Sequence, residues 1–340
     1  MGLDLVLIWF VILGVLLTGY AILDGFDLGV GVLHLLARGD EERRLLMNSI
    51  GPLWDGNEVW LVTFGGALFA AFPNAYAAAF SSFYLPFVFL LFALIFRGVS
   101  MEFRSKRENP SWRRTWDVAF FASSTLAIFL MGLAVGNSMT GIKVGAFGEY
   151  EGALFDLLRP FPLLVGCLSV AVAAMHGANY LLLKTEGDLQ ARVSSWAWRS
   201  FAAFIVLYAV TSVWSVLTLP HATHALRTHP AAWAIVVLNV LAILNIPRAL
   251  HHRRRTYGFV SSSCTIAALV FLFGAAMFPN LVRSTVAPEH SITLTNGASS
   301  PNTLRFMLVI AVLGMPFVAT YTGIIYWVFR GKVKLGKFSY

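Results

Sequence analysis

Residues 5 to 23 read Leu5-Val6-Leu7-Ile8-Trp9-Phe10-Val11-Ile12-Leu13-Gly14-Val15-Leu16-Leu17-Thr18-Gly19-Tyr20-Ala21-Ile22-Leu23, without one charged side chain. About 20 consecutive apolar residues make a helix long enough to cross the hydrocarbon core of a bilayer. Comparable runs recur at Phe120 to Val135, Phe201 to Leu219 and Phe306 to Phe329. Over the 340 residues, 58% are hydrophobic and 12% charged, about half the charged share of a soluble protein. The mean hydropathy is +0.72. The chain is therefore expected to be an all-α, polytopic integral membrane protein. A transmembrane barrel would need short strands of alternating polarity, and no such alternation is present.

Hydrophobic periodicity predicts about nine spans in one membrane domain, roughly residues 5–30, 50–72, 76–96, 117–136, 161–183, 199–218, 231–247, 258–279 and 306–329. Basic residues divide unequally among the connections. Of 25 Lys and Arg, only Lys143, Arg159, Arg227, Arg283 and Arg305 fall on one side. The rest, from Arg38, Arg43 and Arg44 through Arg248 and Arg253 to Arg330, Lys332, Lys334 and Lys337, fall on the other. The positive-inside rule makes the richer side cytoplasmic, with the N-terminus outside and the C-terminus inside. Asp4 and the lack of a basic leader predict that the first run is a retained span rather than a cleaved signal.

The net charge of +8 and pI near 9.7 do not indicate nucleic acid, because the basic residues sit in short loops and are not pooled in a soluble domain. They are read as topology signals and contacts to anionic phospholipids. Cys167 and Cys264 lie in apolar spans without paired spacing and are expected to be small buried hydrophobes.

The polar groups inside the spans carry the functional information. An ionisable side chain near the bilayer centre costs about 2.5–3.5 kcal/mol on insertion scales, so it usually faces a partner, a polar cavity or an ion route. Asp24 and Asp27 are three residues apart on one helix face, with Tyr20 one turn earlier. Trp54-Asp55-Gly56-Asn57-Glu58-Val59-Trp60 repeats that acidic spacing at Asp55 and Glu58. By topology these acids, Arg97 at the end of the third span and His34 converge near the cytoplasmic leaflet. Two readings stand together: a helix-end cluster solvated by headgroups and Arg97, or a proton route. Trp54 and Trp60 read as interface anchors or packing. Gly25, Gly29 and Gly31, Gly65 and Gly66, and Gly177 with Ala178 predict small-residue faces for close helix packing.

A heme iron with two axial side chains needs matched ligands on facing helices. Only His176 lies well inside a span and His34 near an end. His221, His224, His229, His251, His252 and His290 fall in loops. No cofactor or metal is therefore expected on ligands of this chain.

Asp24-Gly25-Phe26-Asp27-Leu28-Gly29-Val30-Gly31, Glu42-Arg43-Arg44 and Asn48-Ser49-Ile50-Gly51-Pro52-Leu53-Trp54-Asp55-Gly56-Asn57-Glu58-Val59-Trp60-Leu61 resemble subunit II of cytochrome bd quinol oxidase. Phe96-Arg97, Arg104-Ser105-Lys106, Trp116-Asp117, Gly136-Asn137, Gly177-Ala178-Asn179-Tyr180 and Ala276-Met277-Phe278-Pro279 are similar to it as well.

The resemblance implies nine spans as two four-helix bundles plus a peripheral helix, in a bacterial or archaeal cytoplasmic membrane. It implies a homologous partner, subunit I, carrying three hemes (two b-type, one d- or b-type) and the quinol-oxidising loop. The implied reaction is oxidation of membrane quinol with four-electron reduction of O₂ to water, and the chain alone should be inactive. Asp55 takes the position associated with cytoplasmic proton delivery, with Glu58, Asp24 and Asp27 as helpers and Arg97, Asn57, Trp54 and Trp60 in support. A small single-span accessory subunit and a structural quinone or lipid are compatible with this reading. The residues leave two alternatives, a proton-coupled secondary transporter and a purely structural scaffold.

Overall fold

The computed structural model describes residues 2–228 and 232–336; His229 and Lys337, assigned to loops above, lie outside the described residues. Twelve helices are present among them: α1 Gly2–Leu33, α2 Gly39–Ile50, α3 Trp54–Ala71, α4 Pro73–Ser82, α5 Tyr84–Arg104, α6 Pro110–Thr140, α7 Pro160–Lys184, α8 Gly187–Thr218, α9 His224–Thr228, α10 Ala232–His251, α11 Arg255–Met277 and α12 Pro301–Val328. Strands β1 Asn280–Val282 and β2 Ile292–Thr293 pair antiparallel.

Eight of the described helices are long and apolar enough to cross a membrane. The other expected span corresponds to α3, which is 18 residues long and begins with Asp55, Asn57 and Glu58 inside its first two turns. Those three polar side chains offset the apolar remainder.

Local chemistry sets the boundaries. Pro52 lacks the N–H that would bond Asn48, so α2 stops at Ile50 and the chain turns through Gly51 before α3. Asp40, Glu41 and Glu42 occupy the first turn of α2, where the helix dipole favours negative charge. The Asn109 side chain accepts hydrogen bonds from the Ser111 and Trp112 backbone N–H groups at 2.8 and 3.4 Å and starts α6 behind Pro110.

The third span corrects the expected range of 76–96. Phe83 leaves helical geometry, residues 73–82 form the separate α4, and the span begins at Tyr84. Pro86 is the cause, since it cannot donate to Ser82 and its ring opposes a continuous helix there.

Helix α1 is the hub. It packs against α3 and α6 on one side and against α7 and α11 on the other. Contacts gather α1, α3, α5 and α6 into one group and α7, α8, α10 and α11 into a second, while α12 touches chiefly α1 and α3. The two groups are joined closely through α6 on α7 and α1 on α7. Helix α7 is largely buried, whereas Phe306, Val309, Leu313, Phe317 and Trp327 of α12 are all exposed.

The α1–α7 contact depends on missing side chains. A Cβ on Gly29 would fall 1.9 Å from the Ala173 carbonyl oxygen, and one on Gly177 would fall 2.5 Å from the Gly29 backbone. Gly25 has no such contact nearer than 3.9 Å, and Gly65 and Gly66 face open space, so those expected packing positions are not used within the chain. Replacing Gly177 by Ala should cost about 2–3 kcal/mol because backbone cannot yield as a side chain can. A lower unfolding temperature of the purified protein would show it, and an unchanged one would refute the contact.

Cys167 and Cys264 are exposed, contrary to the expected burial. In a bilayer the surroundings are as apolar as the core, so a thiol on a span gains little from turning inward.

Candidate functional site

Asp24 and Asp27 lie in the last third of α1, Asn57 and Glu58 in the first two turns of α3, and Arg97 in the second half of α5. Antiparallel neighbours bring these three stretches to the same end of the bundle. Asp24, Asp27 and Arg97 are each 0% exposed. Arg97 Nη2 stands 2.7 Å from Asp24 Oδ1 and 3.9 Å from Asp27 Oδ2, and Nη1 stands 3.2 Å from Glu58 Oε1. Helix α1 does not break at Asp27 but continues to Leu33, which keeps both aspartates inside.

Asn57 ties the acids to a fourth element. Its Nδ2 donates to Asp27 Oδ2 at 2.7 Å and to the Leu23 carbonyl at 3.3 Å, while its Oδ1 accepts from the Tyr326 hydroxyl of α12 at 3.0 Å. Oδ1 of Asp27 accepts no hydrogen bond among the described residues, and Asp24 is held by its ion pair with Arg97. The Arg97 guanidinium lies 5.9 Å from the centre of the Trp54 ring, in cation–π range. Trp60 fills the space beside Gly19 of α1. Trp54 thus packs against the site, and Trp60 packs on α1 beside Gly19.

Asp55 is placed differently. It is exposed on the outer face of α3 and makes no hydrogen bond or ion pair among the described residues. One helical turn separates it from Glu58, whose side chain is 25% exposed and touches Arg97. The two acids therefore span the distance from the surface of the chain to the buried cluster.

His34 does not join this cluster, contrary to expectation. The three-residue turn after α1 points it at Asp117 of α6, with Nε2 2.7 Å from Oδ1. Asp117 also accepts from Arg104 Nε at 2.5 Å and from Arg43 Nη1 at 2.8 Å. Asp40 extends the network, 2.8 Å from Arg104 and 3.0 Å from Arg113. Sequence reading overlooked this second cluster. Its signs there were scattered motif pieces, Arg43, Arg104 and Asp117, since its members come from three helices and the turn after α1, spread over about 80 positions.

His176 is buried against the stacked ring of Phe259. Its Nε2 donates to the Ile22 carbonyl at 3.1 Å and its Nδ1 meets Ser262 Oγ at 2.7 Å. Both ring nitrogens are engaged, so this ring does not fit an axial heme ligand.

Comparison with known proteins gives one consistent answer. The family described as cytochrome bd terminal oxidase subunit II matches residues 5–329. The chain is 37% identical over 357 aligned positions to the cytochrome bd-I ubiquinol oxidase subunit 2 of Escherichia coli K12, covering 96% of this chain and 94% of that protein. It is 33% identical to the cytochrome bd ubiquinol oxidase subunit 2 of Bacillus subtilis 168, covering 96% of each. The solved structure of bd oxidase from Geobacillus thermodenitrificans shares the fold, with a TM-score of 0.80 and 18% identity over 96% of this chain and 98% of that one. The chain belongs to the cytochrome bd terminal oxidase subunit II family.

Proposed function

We propose that the chain is a heme-free subunit of a bd-type quinol oxidase in the bacterial inner membrane, assembled with a heme-bearing subunit I. In that complex, membrane quinol supplies electrons for reduction of O₂ to water. Hemes supply the redox chemistry when bound by the partner, and this chain supplies protons and an interface. The observation that carries the reading is the meeting of Asp24, Asp27 and Glu58 at one buried guanidinium.

Charge counting explains what such a site does. A buried cluster stays near neutrality because uncompensated charge in a low-dielectric interior is expensive. One Arg97 offsets one carboxylate, so the remaining carboxyls are suited to holding exchangeable protons. Asp55, at the surface, would take a proton from cytoplasmic water. Glu58 would pass it inward by rotating within its partly exposed space, and Asp24 and Asp27 would receive it beside Arg97. Asn57 and Tyr326 hold the geometry of Asp27. The exposed apolar faces of α3 and α5, including Val59, Val62, Phe89, Phe92 and Phe96, would cover subunit I and deliver the proton across that seam. This reading places the N-terminus outside and the C-terminus in the cytoplasm, as the basic loops require.

Asp55→Asn tests it in the assembled complex. The expected result is an unchanged heme spectrum with O₂ consumption slowed about tenfold or more, as for loss of a positioned proton donor. Normal turnover would refute the relay. Failure of the subunits to assemble would support the scaffold reading, and purification without any large heme-bearing partner would support the transporter.

A further inference from the structure

At the opposite end of the bundle from Arg97, the chain leaves α8, turns through Pro220 and His221 into α9, and passes close to the end of α11. A cavity of about 380 Å³ opens there, within the range that holds a small ligand. His221, His224, Arg227 and Arg283 line it together with Met277 and Phe278, and no carboxylate is among its lining residues.

The placement of charge is unusual for this side of the protein. Of the five Lys and Arg assigned to the poorly basic side, Arg305 lies on α12 outside this cavity's lining, and Lys143 is paired with Asp156 at 3.1 Å. Arg159 is spent on Asn137, Thr140 and the Gly141 carbonyl at 3.2, 2.7 and 2.6 Å. Arg227 and Arg283 have no ion-pair partner among the described residues, yet both converge on this one cavity. Topology does not account for them, since the positive-inside rule depletes cations on this side.

The walls are also fixed in place. His221 donates from Nε2 to the Met139 carbonyl at 2.7 Å. The Arg283 carbonyl accepts from the Ile142 N–H at 3.0 Å, which anchors its backbone to the segment after α6. Burial lowers the His221 imidazole from its ordinary range, the bond to Met139 raises it, and the nearby Arg283 charge lowers it again.

We infer that this cavity binds a phosphate-bearing anion, a phospholipid headgroup or free phosphate, held between Arg227 and Arg283. Guanidinium groups recognise phosphate oxygens through paired N–H donors. Met277 and Phe278 give the apolar surface that a glycerol backbone or the start of an acyl chain would cover. The inference is independent of the proton route at Arg97.

The test uses the assembled complex, delipidated in detergent and titrated separately with phosphatidylglycerol, phosphatidylcholine and inorganic phosphate, read by native mass spectrometry and thermal shift. Arg227→Gln with Arg283→Gln should weaken phosphatidylglycerol binding roughly tenfold to thirtyfold, the loss of two surface cations, while phosphatidylcholine, whose choline offsets its phosphate charge, should lose less. Inorganic phosphate binding that is lost in the same variant, without a phosphatidylglycerol effect, would assign the free ion as the source. Equal binding of both anions by wild type and variant would overturn the site. The heme spectrum reports assembly; should the double variant not assemble, Arg227→Gln alone, on the short surface helix α9, is judged by the same outcomes.

Discussion

Replacing Arg97 by glutamine is expected to destabilise the protein by about 3–5 kcal/mol, the usual consequence of removing one partner from a buried ion pair. The guanidinium is fully buried and is the only cation within ion-pair distance of Asp24, Asp27 and Glu58 among the described residues. Glutamine keeps a polar, planar end but not the charge, so Asp27 would keep the Asn57 amide as a donor while Asp24 would lose its ion-pair partner. The cost is the uncompensated carboxylate rather than a lost contact. Asp24→Asn placed in the same chain should therefore recover part of the loss, because it removes the charge that Arg97 had balanced. A double-mutant cycle on the unfolding free energy of the purified complex measures this coupling. Equal stability of Arg97→Gln and wild type, or a double variant no better than the single, would show that the cluster is not an electrostatic unit.

The second large effect is expected at Asp117. One carboxylate, 1% exposed, serves His34, Arg43 and Arg104. Asp117→Asn preserves shape, yet it turns one accepting oxygen into a donor that faces two guanidinium groups. Two cations would then oppose each other across a poorly hydrated junction, again at a cost of about 3–5 kcal/mol. The damage should be local. Asp117 is what holds α2 to the α5–α6 hairpin through Arg43, with Asp40 bridging to Arg104 and Arg113. Hydrogen exchange in residues 39–50 should speed up before the remainder of the bundle responds. Unchanged protection there would mean that α2 is held chiefly by its apolar face, Leu46, Met47 and Ile50, and by the bond from the Tyr180 hydroxyl to the Ser49 carbonyl at 2.6 Å.

Much of the fold could be read from residue order because the bilayer restricts the alternatives. In lipid every backbone N–H and C=O must be satisfied within a helix or a closed barrel, so long apolar runs translate almost directly into elements. The reading was weakest where a single residue changes geometry. Residues 76–96 look like one continuous apolar run, but Pro86 removes a backbone donor and moves the start of α5 to Tyr84. Burial was equally hard to read. Cys167 and Cys264 are as apolar as their neighbours, and nothing in their composition tells a lipid-facing position from a core position.

The candidate site was partly legible for the same reason. Spacing placed Asp24 with Asp27 and Asp55 with Glu58 on common helix faces, and topology brought Arg97 to the same end. Spacing could not say that Asp55 would turn outward while Asn57, two residues on, would turn inward to Asp27 and Tyr326. It also could not separate His34 from that cluster and give it to Asp117. These are choices of helix rotation, and rotation is decided by which side chains can interlock.

By itself, the sequence determined the solvent, the helical class, the inventory of ionisable residues and the family. Hydrophobic length and motif order are local properties and survive without knowledge of contacts. Tertiary structure alone decided the partners: Arg97 against three acids, Asp117 against two guanidinium groups and His34, and Arg227 with Arg283 around one cavity. The physical reason is that Coulombic and hydrogen-bond energies depend on distances of a few ångströms between helices. Those distances are set by close approaches such as Gly29 on Gly177, which no single segment contains.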